Sequence, residues 1–121
     1  CIDGDGALIM HMGSLSTVGQ LSPKNFYHIL INNEVHESVG GQSTSARYID
    51  IREIVSANGY KQVSFVNDKG KLIYQVGKFI SQIGPNFLEV KIDPGSRKDL
   101  GRPTIRPIDN KKEFMKFIQN K

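Results

Sequence analysis

Gly4-Asp5-Gly6, followed by Asn32-Asn33 after an interval that holds one helix and one strand, limits what this chain can become. Glycine has no Cβ, so the backbone around Gly4 and Gly6 can come close to a ligand. A helix that starts just after Gly6 aims its unpaired N–H groups and the positive end of its dipole at an anion such as a pyrophosphate. Asp5 and an asparagine add hard oxygen donors, which suit a magnesium- or calcium-like ion that keeps phosphate oxygens and water in its other positions. The interval between the two clusters matches a βαβ crossover, which returns the chain parallel to its first strand. Asp5 and Asn33 then meet at neighbouring carboxyl ends of strands, where open α/β sheets place their ligands.

The rest of the sequence fits a domain built around that pair. Residues 1–3 read as the end of a buried strand, and 7–20 as a helix with Leu8, Met12, Leu15 and Val18 on one side. Gly13 and Gly19 interrupt that helix, and close approach to another backbone is one reason to place them there. The apolar run 26–31 reads as a covered parallel strand. Residues 34–46 have no usable period and read as a long irregular loop, of the kind that is either functional or disordered. Next come a helix over 50–58 ended by Gly59, a strand over 62–66, a helix over 71–82 and a strand over 87–92. A loop over 93–107, rich in Pro, Gly and Arg, precedes an amphipathic helix over 110–119 with Phe114, Phe117 and Ile118 expected to face inward. The alternation predicts an α/β fold, a parallel sheet with helices on both faces.

These residues resemble the signature of the thiamine diphosphate-dependent decarboxylase superfamily. The words around it narrow the resemblance: Ile2-Asp3-Gly4-Asp5-Gly6-Ala7, Leu8-Ile9-Met10-His11-Met12-Gly13, the run from His36 to Thr44, Pro94-Gly95-Ser96-Arg97 and Leu100-Gly101-Arg102-Pro103. Together they are similar to the phosphonopyruvate decarboxylases, and less closely to the sulfopyruvate decarboxylases, over nearly the whole chain.

The resemblance implies a thiamine diphosphate-binding fold, with residues 1–121 as the pyrophosphate-binding domain truncated at its N-terminus. Gly4, Asp5, Gly6, Ala7 and Asn33 would bind the cofactor, Gly6 and Ala7 through backbone N–H groups. Asp5, Asn33 and the backbone carbonyl of Val35 would hold Mg2+ or another divalent cation. Relatives often carry a glycine-containing pair where this chain has Glu34-Val35. His36, Ser38 and Gln42 lie in a loop placed to fold over the cofactor and are the candidate catalytic residues. An imidazole there either binds the anionic substrate or moves a proton, or is a loop histidine satisfied by backbone. Glu37 reads as surface charge, His28 as core packing, and His11 as a bland helix residue. Arg97, Arg102 and Arg106 suit a phosphonate by shape and equally suit a basic surface loop.

The implied reaction takes phosphonopyruvate, or a related anionic 2-oxo acid, to phosphonoacetaldehyde and carbon dioxide. The glutamate that activates the cofactor's pyrimidine ring is expected from a separate pyrimidine-binding domain or a partner subunit, in a homo-oligomer. Alternatives are a sulfopyruvate or other 2-oxo-acid decarboxylase subunit, and a non-catalytic α/β module that binds a nucleotide or a protein.

Charge and composition narrow the partners. The net charge of +4 gathers in residues 94–121, which carry eight Lys/Arg against three Asp/Glu. Aromatic residues are not interleaved there on a strand pattern, so the tail reads as solvated surface and no nucleic-acid partner is expected. No run approaches the roughly 20 apolar residues needed to span a bilayer, so no membrane partner is expected either. The single cysteine excludes an internal disulfide and fits the cytoplasm.

Overall fold

The computed structural model describes residues 1–120. Lys121, the last of the basic residues counted above, lies outside the described residues. Four parallel strands, β1 (Ile2–Gly4), β2 (Tyr27–Asn32), β5 (Gln62–Val66) and β6 (Asn86–Lys91), form one sheet in the order β1-β2-β6-β5. The register sets Gly4 opposite Ile31 and Asn32 opposite Lys91. Asp5 and Asn33 thus follow the carboxyl ends of two adjacent strands, as the spacing predicts.

Helices cover both faces. On one, α1 (Asp5–Met10), α2 (Ser14–Leu21) and α3 (Ile51–Ala57) bury Leu8, Leu15, Ile51 and Val55 against Leu30 and Phe87. On the other, α4 (Lys69–Ser81) packs Leu72, Val76 and Phe79 against Val66 and Leu88. Each fully buried side chain of this size stabilises the fold by about 1.5–3 kcal/mol. The helix starts follow local chemistry. Asp50 accepts from Arg52 N and Glu53 N, and Asp68 from Gly70 N, so each carboxylate satisfies amides that the first turn leaves unpaired.

Four expectations change. Residues 1–3 lead into β1, but it is an edge strand and not a buried one, with Ile2 71% exposed. The single helix over 7–20 is two helices, because the chain breaks at residues 11–13. Gly19 does mark a close approach: a Cβ there would overlap the Asn58 carbonyl, whereas at Gly13 it would meet nothing within 4 Å. The stretch 34–46 is not a bare loop. It holds a small antiparallel pair, β3 (Val35–His36) with β4 (Gln42–Ser43), and 3₁₀ turns at Glu37–Val39 and Ser45–Tyr48. The last helix, α5 (Pro107–Gln119), forms with Pro107 in its first turn, but none of its residues is buried. Phe114, Phe117 and Ile118 are 63%, 60% and 55% exposed, not inward. Helical periodicity marks an apolar face without saying what covers it.

His28 is buried as expected, between Asp3 and Tyr60. Its Nε2 donates to Asp3 Oδ2 at 3.0 Å, so Nδ1 accepts from the Tyr60 hydroxyl at 3.1 Å. Burial holds the His28 pKa below its ordinary value, against the opposing pull of Asp3, and pushes the Tyr60 hydroxyl up to about 12. A histidine whose folded pKa is depressed takes up a proton more readily when unfolded. The stability it contributes is therefore whole above the unfolded value of about 6.5 and is lost as pH falls through it. We expect the urea midpoint to drop on acidification below about pH 6.5, with a shallower fall in His28→Gln.

Candidate functional site

Asp5 is the first residue of α1 and is buried, its carboxylate held by the Thr44 hydroxyl, which donates to Oδ2. Thr44 also caps the following 3₁₀ turn through Ala46 N, at 3.3 Å. The 34–46 segment is in this way tied back to the strand-to-helix turn. The residue before Asp5 is Gly4, which offers α1 no side-chain cap, so the first N–H groups of the helix remain for an anion.

The two asparagines have different jobs. Asn32 is buried, donates from Nδ2 to Glu89 Oε1 at 2.6 Å and accepts Glu34 N at 3.1 Å. Asn33 accepts Val35 N on Oδ1 at 3.2 Å and donates from Nδ2 to Glu37 Oε2 at 2.8 Å. That pair of bonds fixes which end of the carboxamide is oxygen. The turn that follows them puts Glu34 at φ 60, a conformation that favours glycine, and the Lys91 ammonium pairs with its carboxylate. Lys91 also holds the Glu34 pKa below the ordinary carboxylate range. Thr44 N–H donates to the Glu34 carbonyl, so Val35, one residue on, turns its own carbonyl away from β4.

A cleft of about 350 Å³ gathers Gly4, Asp5, Gly6, Ala7, Asn33, Val35, His36 and Ser38, together with Glu37, Met10 and Ile31. Of the catalytic, cofactor-binding and metal candidates, only Gln42 is not among the lining residues; it sits exposed on β4 opposite His36. The His36 imidazole lies on Gly6, where a Cβ would come within 2.5 Å of the ring, so Gly6 makes room for a side chain as well as for a ligand. Arg97 and Arg106 are exposed and pair with Asp99 at 3.7 Å and Asp109 at 2.8 Å; neither they nor Arg102 line the cleft. His11 ends α1 and is exposed.

Two residues gain roles that spacing did not reveal. Thr44 positions Asp5, and Glu37 positions Asn33 while accepting Gly95 N at 3.0 Å from the 93–107 loop. Their signal lay in the run from His36 to Thr44, whose function a linear reading leaves open. Asp5, Asn33 and Val35 line one cleft, and a carboxylate, a carboxamide oxygen and a backbone carbonyl are hard donors that could hold a Mg2+-like ion with phosphate oxygens and water completing the shell. Thr44→Val and Glu37→Gln are each expected to weaken cation-dependent cofactor binding by about 10–100-fold, read by calorimetric titration.

The family model for the thiamine pyrophosphate enzyme, C-terminal TPP binding domain, matches residues 1–90. The chain is 35% identical over 97% of its length to phosphonopyruvate decarboxylase of Streptomyces viridochromogenes, and 34% identical over 96% to that of Streptomyces hygroscopicus. It is 30% identical over 98% of its length to sulfopyruvate decarboxylase subunit beta of Methanococcus maripaludis. It spans 30%, 29% and 63% of those three proteins. A candidate thiamin diphosphate-dependent enzyme from Mycobacterium smegmatis shares the fold over 78% of this chain and 17% of its own, with a TM-score of 0.63 and 21% identity. No helix among the described residues is long and apolar enough to cross a membrane.

Proposed function

The chain belongs to the thiamine pyrophosphate enzyme family, through its C-terminal TPP-binding domain, and from that premise we propose that it supplies the pyrophosphate half of a 2-oxo-acid decarboxylase site. The observation that carries this reading is the convergence of Asp5 and Asn33, from neighbouring strand ends, on one cleft at the start of α1. Asp5, Asn33 and the Val35 carbonyl would hold Mg2+, and the N–H groups of Gly6 and Ala7 would meet the pyrophosphate. Bound there, thiamine diphosphate supplies the carbanion and the electron sink that decarboxylation needs. The protein binds and orients it. His36, against Gly6, is placed to meet an anionic substrate or carry a proton, and Ser38 lines the same wall.

The substrate proposed is phosphonopyruvate, favoured over sulfopyruvate by the higher identity to the Streptomyces proteins. The pyrimidine half would come from a domain or subunit outside these residues, in a cytoplasmic homo-oligomer. A subunit named as such among the relatives, and the share of each relative that the chain spans, support that division. The chain assayed alone should give no turnover. The intact parent should release phosphonoacetaldehyde; sulfoacetaldehyde instead would move the substrate to the second reading, and turnover by the chain alone would overturn the division.

A further inference from the structure

Cys1, Asp3 and His28 stand on one face of two neighbouring strands. Cys1 and Asp3 alternate along the chain and so project to the same side. Ile29 N donates to the Cys1 carbonyl at 2.9 Å, which carries the parallel pairing back to Cys1 and brings His28 alongside. Cys1 Sγ is then 3.7 Å from Asp3 Oδ2, Asp3 Oδ2 is 3.0 Å from His28 Nε2, and the three ligand atoms all lie within 4.8 Å of one another. Around a tetrahedral ion with bonds of about 2.0 Å to nitrogen or oxygen and 2.3 Å to sulfur, such atoms sit about 3.3–3.5 Å apart. We propose that these side chains form a second cation site, built from other residues than the Asp5 cleft and selective for a borderline divalent ion such as Zn2+.

The donor set argues for that class. Thiolate and imidazole suit zinc, whereas the hard magnesium ion prefers the all-oxygen set of Asp5 and Asn33. A metal on Nε2 takes that nitrogen's lone pair and leaves the imidazole proton on Nδ1, which then donates to the Tyr60 oxygen 3.1 Å away, the kind of outer partner that orients a metal-binding imidazole. Three protein donors leave a fourth position around a tetrahedral ion, which water can take. An ion there ties β1 to β2 at the end of the strands opposite the cleft.

Titration of the full chain with Co2+ alone, anaerobically, tests this by absorption. A thiolate-to-cobalt charge-transfer band should grow to one equivalent, disappear on addition of Zn2+ and survive excess Mg2+. Cys1→Ser, which keeps the backbone pairing and removes the thiol, should lose the band. Asp3→Ala should weaken cobalt by at least tenfold, and Tyr60→Phe by about tenfold. No band, a band that persists in Cys1→Ser, or an unchanged midpoint in Asp3→Ala would each overturn the proposal, the last by assigning the metal to Cys1 without its neighbours.

Discussion

Asp5→Ala should weaken magnesium-dependent binding of thiamine diphosphate by more than about 100-fold. Losing an outer partner of a metal ligand typically costs 10–100-fold, so losing a charged ligand itself belongs beyond that range. Asp5 is buried at the mouth of α1 and receives the Thr44 hydroxyl, so no other carboxylate among the residues lining the cleft replaces it except Glu37, which is engaged by Asn33 and Gly95. Asp5→Asn keeps an oxygen and the shape but loses the charge, and should fall between. The readout is calorimetric titration with cofactor plus Mg2+, with circular dichroism to confirm the fold, since an unpaired Thr44 costs about 1–3 kcal/mol. Equal titration curves for Asp5→Ala and the parent would return the chain to the reading of a nucleotide- or protein-binding module.

The second large effect is structural. Gly19→Ala should destabilise the chain by about 3 kcal/mol or more, because its Cβ would occupy the Asn58 carbonyl and neither backbone can yield without parting α2 from α3. Gly59, at φ +90 on the other side of that contact, leaves the turn no easy alternative. Gly13→Ala is the control. Its backbone is right-handed helical and its surroundings are open, so alanine should be neutral or stabilise by about 0.4–1 kcal/mol. Urea unfolding separates them: the midpoint should fall in Gly19→Ala and hold or rise in Gly13→Ala, with m unchanged. Similar midpoints for the two variants would remove the proposed packing role of Gly19.

What could be read in the sequence follows from periodicity and spacing. β2 carries a short apolar run, β6 alternates, and the interval from Gly6 to Asn32 sets β1 beside β2, so the parallel sheet and the placing of Asp5 and Asn33 at neighbouring strand ends were legible. The division of labour within the asparagine pair was not. It depends on Glu89, which approaches Asn32 only because β2 and β6 are adjacent. Glu37 looked like surface charge for the same reason: its partner Gly95 is distant in sequence. α5 shows the converse, since its apolar stripe is plain in the sequence while none of its residues is buried.

The bond from Gly95 to Glu37 gives the C-terminal region a hold on the cleft from outside it. Residue 95 lies beyond the stretch that the family model matches, yet it steadies the carboxylate that sets the angle of Asn33. At the proposed metal site, a change in that loop is expected to alter ion affinity without replacing any residue that lines the cleft. The proposed ion's hold would thus depend on a segment that forms none of its walls.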